Sequence, residues 1–256
     1  MKYLPASPTP YVEINKKKKI KWDKIVPLLF ISPWVIGFLA FTLGPLVYSL
    51  FISFYDWPVV GEATFIGLDN YKTMFTDDPL FWKSLWVTVK FAGLFVPLNI
   101  IAALVLAILL NQNVKGHSFF RTFFYLPSVI SGVALAMIWA WVFNGEYGIL
   151  NYFLSLIDIS GPNWLNETGW ALVAMVIASL WGQGTMMLIF LAGLKGISGE
   201  LYEAASIDGA NKITQFFKIT LPLLTPTILF NVITTIIAAF QQLTLALLLT
   251  GGGPLN

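Results

Sequence analysis

Few residues in this sequence can do chemistry. It has no cysteine and one histidine, His117. Disulfides, thiolate nucleophiles and Cys-based metal sites are therefore excluded, and a His-rich metal site lacks ligands. No Ser/His/Asp set, metal cluster or pair of carboxylates can be assembled inside the apolar stretches. A phosphate-binding Gly-x-x-x-x-Gly-Lys-Ser/Thr loop is also missing. The chain is therefore expected not to be an enzyme and to hold no cofactor or metal.

Polar side chains gather in two settings. The first is the stretch from Glu200 to Pro222. Leu201–Asp208 predicts a short helix, with Gly209 as its C-terminal stop. Ala204, Ala205 and Ala210 are small enough for a second backbone to come close. Gln215–Ile219 reads as an amphipathic entry along a membrane surface, and Pro222 suits the first turn of a following helix. A short helix presented this way fits docking into a groove on a partner. The second setting is a pair of clusters in otherwise apolar runs: Ser179, Trp181, Gln183 and Thr185, then Thr235, Phe240, Gln241, Gln242 and Thr244. Hydroxyls and amides beside aromatic rings suit a path for a small polar ligand with apolar faces. The same side chains also serve as hydrogen bonds between membrane helices, worth ~0.6 kcal/mol each.

The elements that carry these residues follow from composition. Of 256 residues, 57% are hydrophobic and 11% charged, against about 25% charged in a soluble domain; the mean hydropathy is +0.76. Water could not solvate so apolar a surface without large sticky patches. Five stretches reach the ~20 apolar residues that cross ~30 Å of hydrocarbon. They run from about Val26 to Phe54, Leu85 to Leu110, Phe119 to Phe143, Gly169 to Leu194 and Leu221 to Leu249. None alternates like a membrane β-strand. The fold class is all-α, a polytopic helix bundle, with residues 1–24 a basic tail and 25–256 the membrane domain. Pro and Gly within the spans (Pro33, Gly37, Gly44, Pro45, Pro97, Pro127, Gly132, Gly182, Gly184, Pro222, Pro226) either line a cavity or reflect their ordinary abundance in such helices.

Basic residues orient the bundle. One set of flanks holds Lys2, Lys16, Lys17, Lys18, Lys19, Lys21, Lys24, Lys115, Arg121, Lys195, Lys212 and Lys218. The other holds Lys72 and Lys83, while Lys90 near a span end can snorkel. The N-terminus and the segment 195–221 are thereby expected in the cytoplasm. The Lys16–Lys24 cluster fits this topology signal and also fits contact with anionic membrane lipid. It is not a signal peptide, because the apolar run after it is too long. Trp57, Trp82, Trp86, Trp164 and Trp170 near the outer boundary suit an interfacial belt. No acid or base lies deep in a span, which argues against a self-contained ion-coupled carrier or channel, the alternative reading.

The positions Glu203, Ala204, Ala205, Asp208, Gly209, Ala210, Phe216, Ile219, Leu221, Pro222 and Pro226 resemble, at matching spacing, the EAA loop of bacterial ABC import permeases. Ser32 to Trp34 with Pro45, Phe65 to Tyr71, Tyr147 to Asn151 and Thr250 to Pro254 resemble the sugar-permease branch. The chain is most similar to the larger permease subunit of maltose-type transporters, from about Val26 onward. The resemblance implies an ABC importer permease in the bacterial inner membrane, moving a sugar or oligosaccharide. It implies a second homologous permease, cytoplasmic ATP-binding subunits carrying ATP and Mg, and an extracytoplasmic solute-binding protein touching 55–83 and 144–168. No nucleic-acid partner is expected. Glu203, Ala204, Ala205, Asp208, Gly209 and Ala210 would form the coupling helix in a cleft of the ATPase, with Glu203 meeting a basic residue. Residues of the fourth and fifth spans would face the translocation cavity. Members of this branch usually continue into a sixth span, so the ending at Asn256 is read either as a truncation, the preferred reading, or as a five-span form with an external C-terminus.

Overall fold

The computed structural model describes residues 22–58, 60–112 and 116–253. Lys2, Lys16, Lys17, Lys18, Lys19, Lys21, Lys115 and Pro254 of the sequence reading lie outside them. The chain divides into two compact units, Met1–Asp78 and Pro79–Asn256.

In the first unit, α1 (Trp22–Phe38) passes through a π-helical turn (Leu39–Leu43) into α2 (Gly44–Ile52). Val26–Ile52 is thus a continuous apolar helix of 27 residues, about 40 Å at 1.5 Å per residue. Pro45 does not break it, because the wider π turn precedes it and the proline falls in the first turn of α2. A minimal hairpin follows, β1 (Tyr55–Asp56) antiparallel to β2 (Thr64–Phe65). The Asn70 carboxamide donates to the carbonyls of Ser53 and Tyr55, both at 3.0 Å, and so fastens the hairpin to α3 (Asp69–Lys72).

The second unit begins with α4 (Pro79–Leu110), 32 residues without a break despite Pro97. Pro79 starts the helix where its missing N–H costs nothing, six residues before the Leu85 expected from hydropathy. The remaining elements are α5 (His117–Tyr125), a 3₁₀ turn (Leu126–Val129), α6 (Gly132–Val142), α7 (Ile149–Ser155), α8 (Trp170–Leu180) and α9 (Gly184–Lys195). They continue through α10 (Gly199–Ile207), α11 (Lys212–Gln215), a π turn (Phe216–Thr220), α12 (Leu221–Leu223), α13 (Thr225–Phe240) and α14 (Thr244–Thr250).

Two described helices are long and apolar enough to cross a membrane, and the number is five if each bent pair is one span. Three of the expected spans are bent helix pairs. The third turns by 99° between Val129 and Gly132. There Ile130 is extended and the Ser131 hydroxyl accepts from the Ala134 N–H at 3.3 Å, so α6 starts with its own cap. The fourth bends by 53° at Trp181–Gln183. The fifth bends by 66° at Leu224, between two Pro-initiated helices. It also ends earlier than Leu249: α13 stops at Phe240, and α14 packs on α6 instead of prolonging it.

Close packing holds the second unit together. Ala103 and Ala107, on one face of α4, let Met187, Phe190 and Leu194 of α9 approach, with Leu224 closing the cluster. Leu135 and Ala136 of α6 pack with Ala174 and Ala178 of α8 and Leu245 and Leu249 of α14. Phe91 and Phe95 of α4 stack at 5.3 Å beside Val176 and Ala239. In lipid, helices gain little from apolar burial itself, so small residues at these contacts matter for the dispersion they allow.

Candidate coupling elbow and translocation path

The connection from α9 to α13 is built from local signals. The Ser198 hydroxyl accepts from the Glu200 N–H at 3.3 Å and caps α10, while Glu200 complements the helix dipole. At the other end Gly209 takes φ +79°. The Ala210 N–H reaches the Ala205 carbonyl at 2.9 Å and the Gly209 N–H reaches Ser206 at 3.1 Å. These are the two bonds of a Schellman cap. An ideal Cβ on Gly209 would meet nothing within 4 Å, so glycine is required there for its backbone conformation alone. Asn211 then caps α11, its side-chain oxygen accepting from Thr214 N–H at 2.8 Å. The helix expected at Leu201–Asp208 thus runs from Gly199 to Ile207.

Helical periodicity gives α10 two faces. One turns Tyr202 and Ser206 toward the following segment, where they bond Thr220 and Gln215 respectively, each at 2.8 Å. The other presents Glu203 and Ala204 exposed, with Ile207 87% exposed. Asp208 and Gly209 are exposed as well, while Ala205 and Ala210 are half-buried. Where amphipathic entry was expected from Gln215, the structure has a π turn beginning at Phe216 and a buried Gln215.

The fourth-span cluster sits at the α8–α9 bend. Trp181 packs edge-on against Trp139 with centroids 5.9 Å apart. Trp181 and Gln183 line a cavity of about 560 Å³ together with Leu106, Phe123, Phe124 and Pro127. The Gln183 Oε1 is buried and makes no hydrogen bond among the described residues. Ser179 and Thr185 do not line this cavity; the Ser179 hydroxyl donates to its own helix at Met175 O, 2.8 Å away, and Thr185 is exposed. Gly184 permits the start of α9 to lie close against α5. A Cβ there would stand 2.6 Å from Tyr125 Cα and 2.7 Å from Phe124 O.

The fifth-span cluster lies elsewhere. Thr235 is buried and bonds Asn231 O at 2.7 Å. Phe240 and Gln241 are exposed and Gln242 half-buried around the α13–α14 break. Thr244 lies against Gly132 of α6, its methyl 3.6 Å from where a Cβ would stand. Sequence reasoning missed Asn99 and Asn231, both buried polar groups within spans. Asn99 Oδ1 and Asn231 Nδ2 have no partner among the described residues. Their positions in apolar runs were the available signal, since polar groups at that depth are costly.

The segment 144–168, between the third and fourth apolar stretches, is organised around Asn151. Its amide nitrogen donates to Gly145 O at 2.9 Å and Pro162 O at 3.2 Å, and its oxygen accepts from the Trp164 indole at 2.7 Å. Trp164 in turn meets Trp170 edge-on at 4.9 Å. Lys90 lies over the Trp86 ring at 5.5 Å, which steadies its charge near the span end.

Comparison with known proteins agrees with this architecture. Over 247 residues the chain is 44% identical to the probable ABC transporter permease protein YesP of Bacillus subtilis (strain 168), covering 95% of this chain and 80% of that one. It is 36% identical to the trehalose/maltose transport system permease protein MalF of Thermococcus litoralis, covering 94% and 82%. A crystal structure of a bacterial alginate ABC transporter, in complex with an alginate pentasaccharide-bound periplasmic protein, contains a chain of the same fold. That match has a TM-score of 0.72 at 26% identity, over 84% of this chain and 72% of the other. Residues 99–256 match the family described as binding-protein-dependent transport system inner membrane component, and the chain belongs to that family of ABC importer permeases.

Proposed function

We propose that this permease moves a sugar or oligosaccharide delivered by an extracytoplasmic binding protein, and takes its energy from a separate ATPase through the α10 elbow. The observation that carries the coupling role is the two-faced α10. One face is hydrogen-bonded to the foot of the fifth span, while Glu203, Ala204 and Ile207 are left open to a partner. A second homologous permease completes the pore, and ATP and Mg belong to the ATPase subunits. Basic flanks support a cytoplasmic N-terminus and a cytoplasmic elbow. The carbohydrate reading draws support from the names of the relatives and from the bend at Trp181–Gln183. Discontinuous membrane helices favour binding sites, and an indole beside a free amide oxygen suits a ring face and a hydroxyl.

The test is reconstitution in proteoliposomes with the cognate permease, ATPase and binding protein. Uptake of labelled oligosaccharide should need ATP and the binding protein. Glu203→Lys should insert normally, fail to retain the ATPase on purification, and lose uptake. Uptake driven by an ion gradient without ATP, or full uptake by the Glu203→Lys protein, would overturn the proposal.

A further inference from the structure

The geometry points to Gln215 as a positioning residue that makes the α10 elbow and the foot of the fifth span one rigid lever. It rests on the coupling role proposed above. Gln215 is 3% exposed in a connection whose neighbours Lys212, Ile213 and Phe217 are exposed. Its amide nitrogen has two donors, and both are used. One reaches Ser206 Oγ at 2.8 Å and the other Ala210 O at 3.1 Å. Ser206 is held for this purpose, since its hydroxyl proton is donated to Tyr202 O at 2.7 Å. Ala210 closes the Schellman cap through its N–H. Gln215 therefore grips the last turn of α10 and the turn beyond it at once.

A second link lies five residues on, where the Tyr202 and Thr220 hydroxyls are 2.8 Å apart and Thr220 is buried. Between the two links runs the π turn Phe216–Thr220, irregular backbone of the kind that otherwise yields. With both links made, a push on Glu203, Ala204 or Ile207 reaches Leu221 and α13 without bending the chain at Gly209. Met at position 215 keeps the side chain's length but has no donor, so it isolates the hydrogen bonds from the packing.

The reconstituted transporter tests this with three readouts: ATPase subunit retained on purification, ATP hydrolysed, and substrate moved per ATP. Gln215→Met should retain the subunit and lower substrate per ATP by about fivefold, equivalent to about 1 kcal/mol. Ser206→Ala should show part of that loss, and the double variant no more than Gln215→Met. Unchanged substrate per ATP refutes the inference. So does a fall in hydrolysis and uptake in strict proportion, which marks a merely structural role. Loss of the ATPase subunit would assign Gln215 to docking and refute positioning. Glu203→Lys in the same assays separates the two proposals, since wild-type behaviour there removes the coupling role itself.

Discussion

Gly209 gives a sharp test of the elbow, because its contribution can be isolated. Its φ is +79°, and a Cβ built on it would touch nothing within 4 Å. Gly209→Ala therefore adds no clash, and its whole cost is that of placing an L-residue in the left-handed region, about 1–2 kcal/mol. That shifts the balance between capped and frayed elbow by roughly 5- to 30-fold. The capping bonds to Ala205 and Ser206 open together, and with them the turn whose Ala210 carbonyl Gln215 holds. A nine-residue helix such as α10 cannot hold itself without tertiary support. Amide hydrogen exchange over residues 205–210 in the assembled transporter should accelerate by roughly the same 5- to 30-fold in Gly209→Ala. Asn tolerates the left-handed region better than Ala, so Gly209→Asn should fall between Ala and wild type. Equal exchange in all three proteins, or faster exchange in Asn than in Ala, would refute the reasoning.

Further outcomes follow from other contacts. Gly184→Ala sets a methyl against the backbone of Tyr125 and Phe124, an overpacking of about 1–3 kcal/mol that should lower Tm in detergent. Asn151→Ala removes the bonds to Gly145, Pro162 and Trp164 and leaves a half-buried indole N–H unpaired, at about 1–3 kcal/mol. Its Tm should fall and its tryptophan emission shift, whereas the exposed Tyr147→Phe should change neither. Because the chain has no cysteine, single substitutions report topology cleanly. A membrane-impermeant thiol reagent added outside right-side-out cells should modify Ser155→Cys and spare Ser206→Cys, and the reverse pattern would invert the orientation.

Much of this protein was legible without coordinates because its strongest signals are local. Hydropathy and length suffice to place a chain in lipid, since the bilayer is a fixed slab and ~20 apolar residues answer it. The stop at Gly209 was equally readable, because the left-handed region is a property of one residue. The EAA-type spacing stands in a stretch whose helix and cap are self-contained.

Pro97 and Pro127 show where local signals stop. Both lie inside apolar runs, yet α4 continues through the first while the third span turns by 99° just past the second. Each proline removes one backbone bond; whether the helix closes over the gap or breaks depends on what neighbouring helices and caps such as Ser131 offer in return. The same holds for Gln215, the first residue of the expected amphipathic entry, which is buried and bonded to Ser206 and Ala210, and for α14, which follows Gln242 onto α6. Sequence alone determined that the chain dwells in lipid, how many apolar stretches it has, and where α10 stops, because each depends on composition or on a single backbone angle. Tertiary structure alone decided which stretches break, which amide the elbow buries and which polar clusters share a cavity, because each is a contest among partners that only packing brings together.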